Sequence, residues 1–333
     1  MDMLKLLAIF LVLWGHCEQY FLSGDFSERA VYRHIYSFHM PLFMMISGFF
    51  FAMTLKSGIG KNILTKARQL LLPALCWTAF FELLSLMEGQ NLFSLRSFSS
   101  GIVLNFWFLK SAFACSILGM VPFYIFRRHF FLSAVMSLIV SQALSKLPVV
   151  NLPFMYPAFL IGGIIYRYHA RFIISARWII PICGFVWIIC NTFLDADAYR
   201  CMNIGFSSAT HESILKLAFL RIYKYVMGLC GAIAFIALFD VIFSSPRAGR
   251  FFTAASDWGK MTLGIYILQT FLLERLLAGI LNFDGVPDLL FDFVIAPLIS
   301  LAVMAICVGI ISIIRYNEYA SFLLLGSKWP ISR

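Results

Sequence analysis

The sequence predicts an all-α integral membrane protein, with about ten transmembrane helices around a polar central cavity and both termini cytoplasmic. Three observations carry this expectation. Hydrophobic residues make up 61% of the 333 positions and charged residues only 13%, and mean hydropathy is +0.88. A soluble chain of this length cannot hide so much apolar surface. Apolar runs of bilayer length recur along the chain, and basic residues gather in alternate connections between them. No hydrophilic stretch is long enough for a second folded unit, so residues 1–333 are read as a single membrane domain.

The apolar runs lie roughly at 3–22, 34–55, 69–87, 101–126, 130–147, 152–166, 174–194, 214–243, 261–282 and 289–314. The first reaches bilayer length without a small-x-small cleavage site and is read as a helix, not a removed signal. The second holds Pro41 and the small pair Ser47-Gly48, which suits a locally irregular, closely packed helix. The fifth and sixth are short and the eighth is long. The eight cysteines form no CxxC pair, and most sit inside apolar runs as small hydrophobes, Cys17 beside His16 included.

Connections after even-numbered runs, with the C-terminal tail, hold fifteen basic residues. They are Lys56, Lys61, Lys66, Arg68, Arg127, Arg128, Arg167, Arg171, Arg177, Arg247, Arg250, Lys260, Arg315, Lys328 and Arg333. Connections after odd-numbered runs hold four, Arg29, Arg33, Arg96 and Arg200, among eight acidic residues. The positive-inside rule then places both termini in the cytoplasm. The formal net charge of +10 is thereby explained by topology and by attraction to anionic lipid, with no nucleic-acid partner implied.

The opening stretch MDMLKLLAIFLVLWGHCEQYF contains one imidazole, His16, deep in an otherwise apolar run. Eleven residues separate it from Lys5, three helical turns plus about 20°, so both side chains leave one helix face. His39, just after the following loop, falls at a similar depth. Trp107 and Lys110 sit a few turns into the fourth run, Arg221 and Lys224 into the eighth, and Glu274 near the outer end of the ninth. Ionisable groups inside a membrane are costly and usually line a wet interior. Snorkelling accounts poorly for Lys110, Arg221 and Lys224. The sequence thus points to an outward-opening polar chamber with a cationic cytoplasmic mouth below it.

Lys5 and His16, followed by SFHMPLFMMISGFFF (Ser37 to Phe51), resemble the acyltransferase-3 family of integral-membrane acyltransferases, which includes O-antigen and nodulation-factor O-acetyltransferases. KARQLLLP (Lys66 to Pro73), FWFLKSAF (Phe106 to Phe113) and GKMTLGIYILQTF (Gly259 to Phe271) are similar to further family segments. The resemblance implies a bacterial inner-membrane enzyme moving an acetyl or other short acyl group from cytoplasmic acyl-CoA to a glycan hydroxyl or its lipid-linked precursor. Acetyl-CoA would be a co-substrate, its phosphates docking on Lys5, Lys61, Lys66 and Arg68, and no metal is implied. His16 would be the general base, or in a less favoured variant would itself be acylated. Glu18 would orient an imidazole. His39, Lys110 or Arg221 would stabilise the oxyanion, with Trp107, Lys224 and Glu274 as further substrate contacts. The family usually has arginine at Lys5, whose fork lysine lacks, and many relatives have histidine at Gln269. Membrane lipid is an expected partner, and an oligomer is compatible with this reading.

Two other classes fit a wet ten-helix chamber: a glycan or glycolipid transporter or flippase, and a non-catalytic subunit of a polysaccharide synthesis or export complex. Transporters often carry inverted repeats and broken helices, and neither stands out in the sequence.

Overall fold

The computed structural model describes residues 2–55, 58–87, 101, 105–144, 151–193, 214–243 and 253–328, and among them every regular element is helical. The helices are α1 (Asp2–Tyr20), α2 (Ala30–Thr54), α3 (Ile59–Met87), α4 (Trp107–Ile125), α5 (Phe130–Ala143) and α6 (Leu152–Arg167). They continue with α7 (His169–Thr192), α8 (Ile214–Phe243), α9 (Thr253–Gly259), α10 (262–277), α11 (Asp288–Tyr316) and α12 (Glu318–Leu325). A helix occupies each apolar run of the sequence. Among the described residues six helices, namely α2, α3, α4, α7, α8 and α11, are long and apolar enough to cross a membrane. Several of the loop charges behind the expected orientation, Arg96, Arg200, Arg247 and Arg250 among them, lie outside the described residues.

α2 is the central helix. It packs on α1, α6 and α8, and 72% of its most apolar 18-residue window is buried, against 6% for α7. Its entry into the centre rests on two glycines. A Cβ on Gly48 would lie 1.9 Å from the Phe159 carbonyl oxygen, and one on Gly162 would lie 1.9 Å from that of Met45. The α2 and α6 backbones therefore touch through reciprocal small residues, as in close helix pairs within lipid. Pro41 does not break α2. It withdraws the N–H that would have met the Ser37 carbonyl, and Gly228 of α8 fits against that carbonyl and the proline ring.

Among the described residues four stretches wind as π-helix: 67–71 in α3, 121–125 in α4, 270–277 in α10 and 291–295 in α11. Such turns add a residue to the helical register and cluster at functional sites. Lys61, Lys66 and Arg68 sit on the first turns of a helix starting at Ile59, not in a loop before residue 69. At the far end, Phe283 N–H donates to Phe21 O at 3.0 Å and Ser23 N–H to Asp284 at 2.5 Å, tying the α10–α11 connection to the α1–α2 loop. Hydrogen bonds from Ser23 and Asn282 hold the Asp284 carboxyl below its ordinary range.

Candidate functional site

His16 stands on the inward face of α1, where Gly15 is shaped to admit Tyr36 of α2: a Cβ there would come within 2.6 Å of that ring. Tyr36 in turn packs edge-on against His39 at 4.4 Å. His39 is buried, and its Nδ1–H donates to the Ile35 carbonyl at 2.8 Å, leaving Nε2 as its lone-pair nitrogen. The two imidazoles are close enough for their charges to interact. α1 and α2 therefore bring His16 and His39 together, as their flanking positions in the hairpin suggest.

The carboxylate beside His16 is Glu274, whose Oε1 is 3.1 Å from His16 Nδ1. That is ion-pair distance, although Nδ1 is buried and makes no aligned hydrogen bond. Tyr20, one turn along α1, directs its hydroxyl toward Glu274, and Tyr266 of α10 lies within electrostatic reach of it. Glu274 belongs to the π-helical stretch of α10, a fixed, wide turn that aims it at α1. An Nδ1–H facing this carboxylate would leave Nε2 free to accept a proton.

Glu18 does not take the part expected of it. It is fully buried, and its Oε2 accepts from Arg29 Nε at 2.8 Å. Two residues beyond His16 is about 200° around the helix, so the two side chains leave opposite faces. Arg29 also meets Asp288 at 3.1 Å and Asp292 of α11 in a shorter contact. Burial of the guanidinium opposes its charge, but Asp292 and Glu18 outweigh that and hold Arg29 above its ordinary value. Arg29 thus joins α1, α2 and α11. Arg29→Ala is expected to cost about 3–5 kcal/mol by stranding two buried carboxylates. Thermal unfolding in detergent checks this, and an unchanged midpoint would refute it.

Below the histidines a cavity of about 1060 Å³ opens between α1, α2, α3, α4 and α10. Lys5, Lys61, Lys66 and Arg68 all line it. Lys5 is held by Asp2 at 2.9 Å and stacks 3.5 Å above the Phe50 ring, and the Arg68 Nε is buried without a hydrogen-bond partner. The apolar inner wall includes Val12, Met40, Phe108, Leu109 and Tyr266. Neither His16 nor His39 is among its lining residues; the wall reaches Val12, one turn before His16, and Met40, next to His39.

The remaining expected residues fall in two places. Trp107 and Lys110 begin α4, the helix whose Phe108 and Leu109 line the cavity. Lys224 of α8 faces the start of α6: it is buried, 5.8 Å from the Phe154 ring, and the neighbouring Tyr225 hydroxyl donates to Pro153 O at 2.6 Å, with Arg221 within electrostatic reach of Tyr225. Cys17 is buried, its Sγ 3.5 Å from Ser300 Oγ, a packing position.

Sequence reasoning missed the tail. Lys328 reads in the sequence only as a topology charge, yet it lines the cavity with Ser327. Asn317 caps α12 by accepting from the Tyr319 and Ala320 amides, and Gly326 ends it at φ +65°. A Cβ at Gly326 would meet the Arg68 carbonyl oxygen at 2.6 Å. Trp77 Nε1–H donates to Leu324 O at 3.1 Å. The helix-ending glycine past an apolar octapeptide was the available signal; its landing point on α3 was not readable.

A family model described as an acyltransferase domain (acyltransferase-3) matches residues 1–314. Nodulation protein NolL of Mesorhizobium japonicum is 26% identical over 351 aligned positions, covering 98% of this chain and 89% of the relative. Nodulation protein NolL of Sinorhizobium fredii is 25% identical, covering 100% and 93%. No solved structure matches the chain. The chain belongs to the acyltransferase-3 family.

Proposed function

We propose that this membrane acyltransferase transfers an acetyl or other short acyl group from acyl-CoA to a hydroxyl of a cell-surface glycan or its lipid-linked precursor, with His16 as general base. The observation that supports the reading best is one cavity with cations at its mouth and an apolar wall that reaches Val12, one turn before His16, and Met40, next to His39. A coenzyme has matching polarity: phosphates at one end, and a neutral pantetheine arm leading to the thioester. With Nδ1 toward Glu274, His16 Nε2 takes the acceptor's proton as its oxygen attacks the thioester carbonyl. The carbonyl then re-forms and expels the coenzyme thiolate, which leaves by the cavity through which the donor entered. His16 Nε2 holds the proton and can return it to that sulfur.

Membranes holding the protein are expected to move radiolabelled acetyl from acetyl-CoA to a saccharide acceptor. No transfer from any short acyl-CoA, with glycan export impaired instead, would reject the proposal in favour of a transporter. Lys66→Gln and Arg68→Gln should each raise the KM for acetyl-CoA about tenfold, the loss of one charge-assisted contact. Neither should alter the KM for acetyl-pantetheine, which lacks the nucleotide phosphates. Equal effects on both donors would remove the phosphates from this cavity.

A further inference from the structure

At the end of the molecule where the cationic cavity opens, a separate recess of about 540 Å³ lies between the end of α4, the α4–α5 turn and the end of α6. Its place is fixed by Tyr124, a wall residue whose hydroxyl accepts from the Gly58 amide at the start of α3 at 2.9 Å. After the π-helical turn of α4, Phe126 leaves helical geometry at φ −108°, ψ 41°. A single 3₁₀ turn then presents Arg127, Arg128 and His129 in succession. Arg167, from the last turn of α6, completes the lining, its guanidinium held 4.4 Å over the Phe130 ring. Among the described residues no carboxylate lines this recess. Elsewhere on the molecule Lys5 and Lys260 sit on Asp2 and Asp257. Among the described residues, none of the three recess arginines has such a partner.

We infer that this recess binds the phosphate headgroup of an anionic phospholipid. A positive-inside bias explains basic residues near a membrane edge, but it does not call for a concavity shared by two helix ends. The volume falls within the ~300–1,000 Å³ of ordinary ligand pockets. Guanidinium groups also suit phosphate oxygens, giving shorter and stronger charge-assisted bonds. The lipid is favoured over a free anion by what adjoins the recess. Ile125 and Phe126 stand at its rim, and Phe131, Leu132, Val135, Met136 and Ile139 continue along α5, all about half exposed or more. This apolar strip gives acyl chains a track leading away from the headgroup. Basic recesses between transmembrane helices bind anionic headgroups for this reason.

The test uses full-length protein in detergent, with native mass spectrometry reading bound lipid after titration with phosphatidylglycerol or phosphatidylcholine. The wild type should retain phosphatidylglycerol preferentially. Arg128→Gln with Arg167→Gln should weaken that retention about tenfold or more, while Arg315→Gln, an exposed arginine at the end of α11, should leave it unchanged. Preserved unfolding temperature shows that the double variant is folded, and Arg128→Lys with Arg167→Lys serves in its place if it is not. Equal losses from Arg315→Gln would reduce the effect to general surface charge and overturn the site. Displacement by inorganic phosphate at the concentrations at which phosphatidylglycerol binds would overturn the lipid assignment.

Discussion

Replacing His16 with alanine is expected to lower acyl transfer by ~10²–10⁴-fold, the usual contribution of a positioned general base, with the KM for acetyl-CoA little changed. The donor cations sit three turns away on α1 and on α3, so removing the imidazole should leave donor binding intact. The ring is part-buried and packs 5.7 Å from Tyr20, and its loss opens a modest void that should not unfold a bundle this size. Glu274→Gln should be less severe and should shift the pH–rate profile, because the carboxylate acts through the ring it faces. A His16→Ala variant that is folded and fully active would remove the mechanism.

Gly48→Ala is expected to be the most damaging small substitution outside the site. Its methyl would need to occupy a position 1.9 Å from the Phe159 carbonyl, which is backbone and cannot swing aside. The two helices must separate, and α2, the most buried helix, loses its fit against α6. Overpacking at side chains commonly costs about 1–3 kcal/mol, and a backbone clash should fall at or above the top of that range. Folded protein recovered in detergent, followed by its thermal midpoint, reads the effect. Gly162→Ala should match it from the opposite side through Met45, whereas Gly184→Ala, with open space around it, should be silent. Wild-type behaviour of Gly48→Ala would mean that α2 and α6 are not in backbone contact.

The helices were legible because hydropathy at bilayer length leaves few other conformations open, and the Lys5–His16 alignment because α-helical periodicity is regular over three turns. The facing of Glu274 was not, because a π-helical stretch changes the register after Gln269 and no residue in TFLLERLL announces it. Glu18 attracted the orienting role by nearness in sequence, although helical geometry sends it to the opposite face. Arg29 read as a loop charge because its three carboxylates come from α1, the start of α11 and its π-helical turn, far apart in sequence. Lys66 and Arg68 were assigned to donor binding through the family resemblance. Their convergence with Lys5, and the arrival of Lys328 beside them, depended on tertiary packing.

A structure of the protein with bound coenzyme A tests the central claim most directly. The account predicts the phosphates among Lys5, Lys61, Lys66 and Arg68, the pantetheine along Tyr266 and Leu109, and the sulfur at Val12, directed at His16. Coenzyme bound outside this cavity, or a sulfur that ends away from the His16 and Glu274 pair, would contradict it.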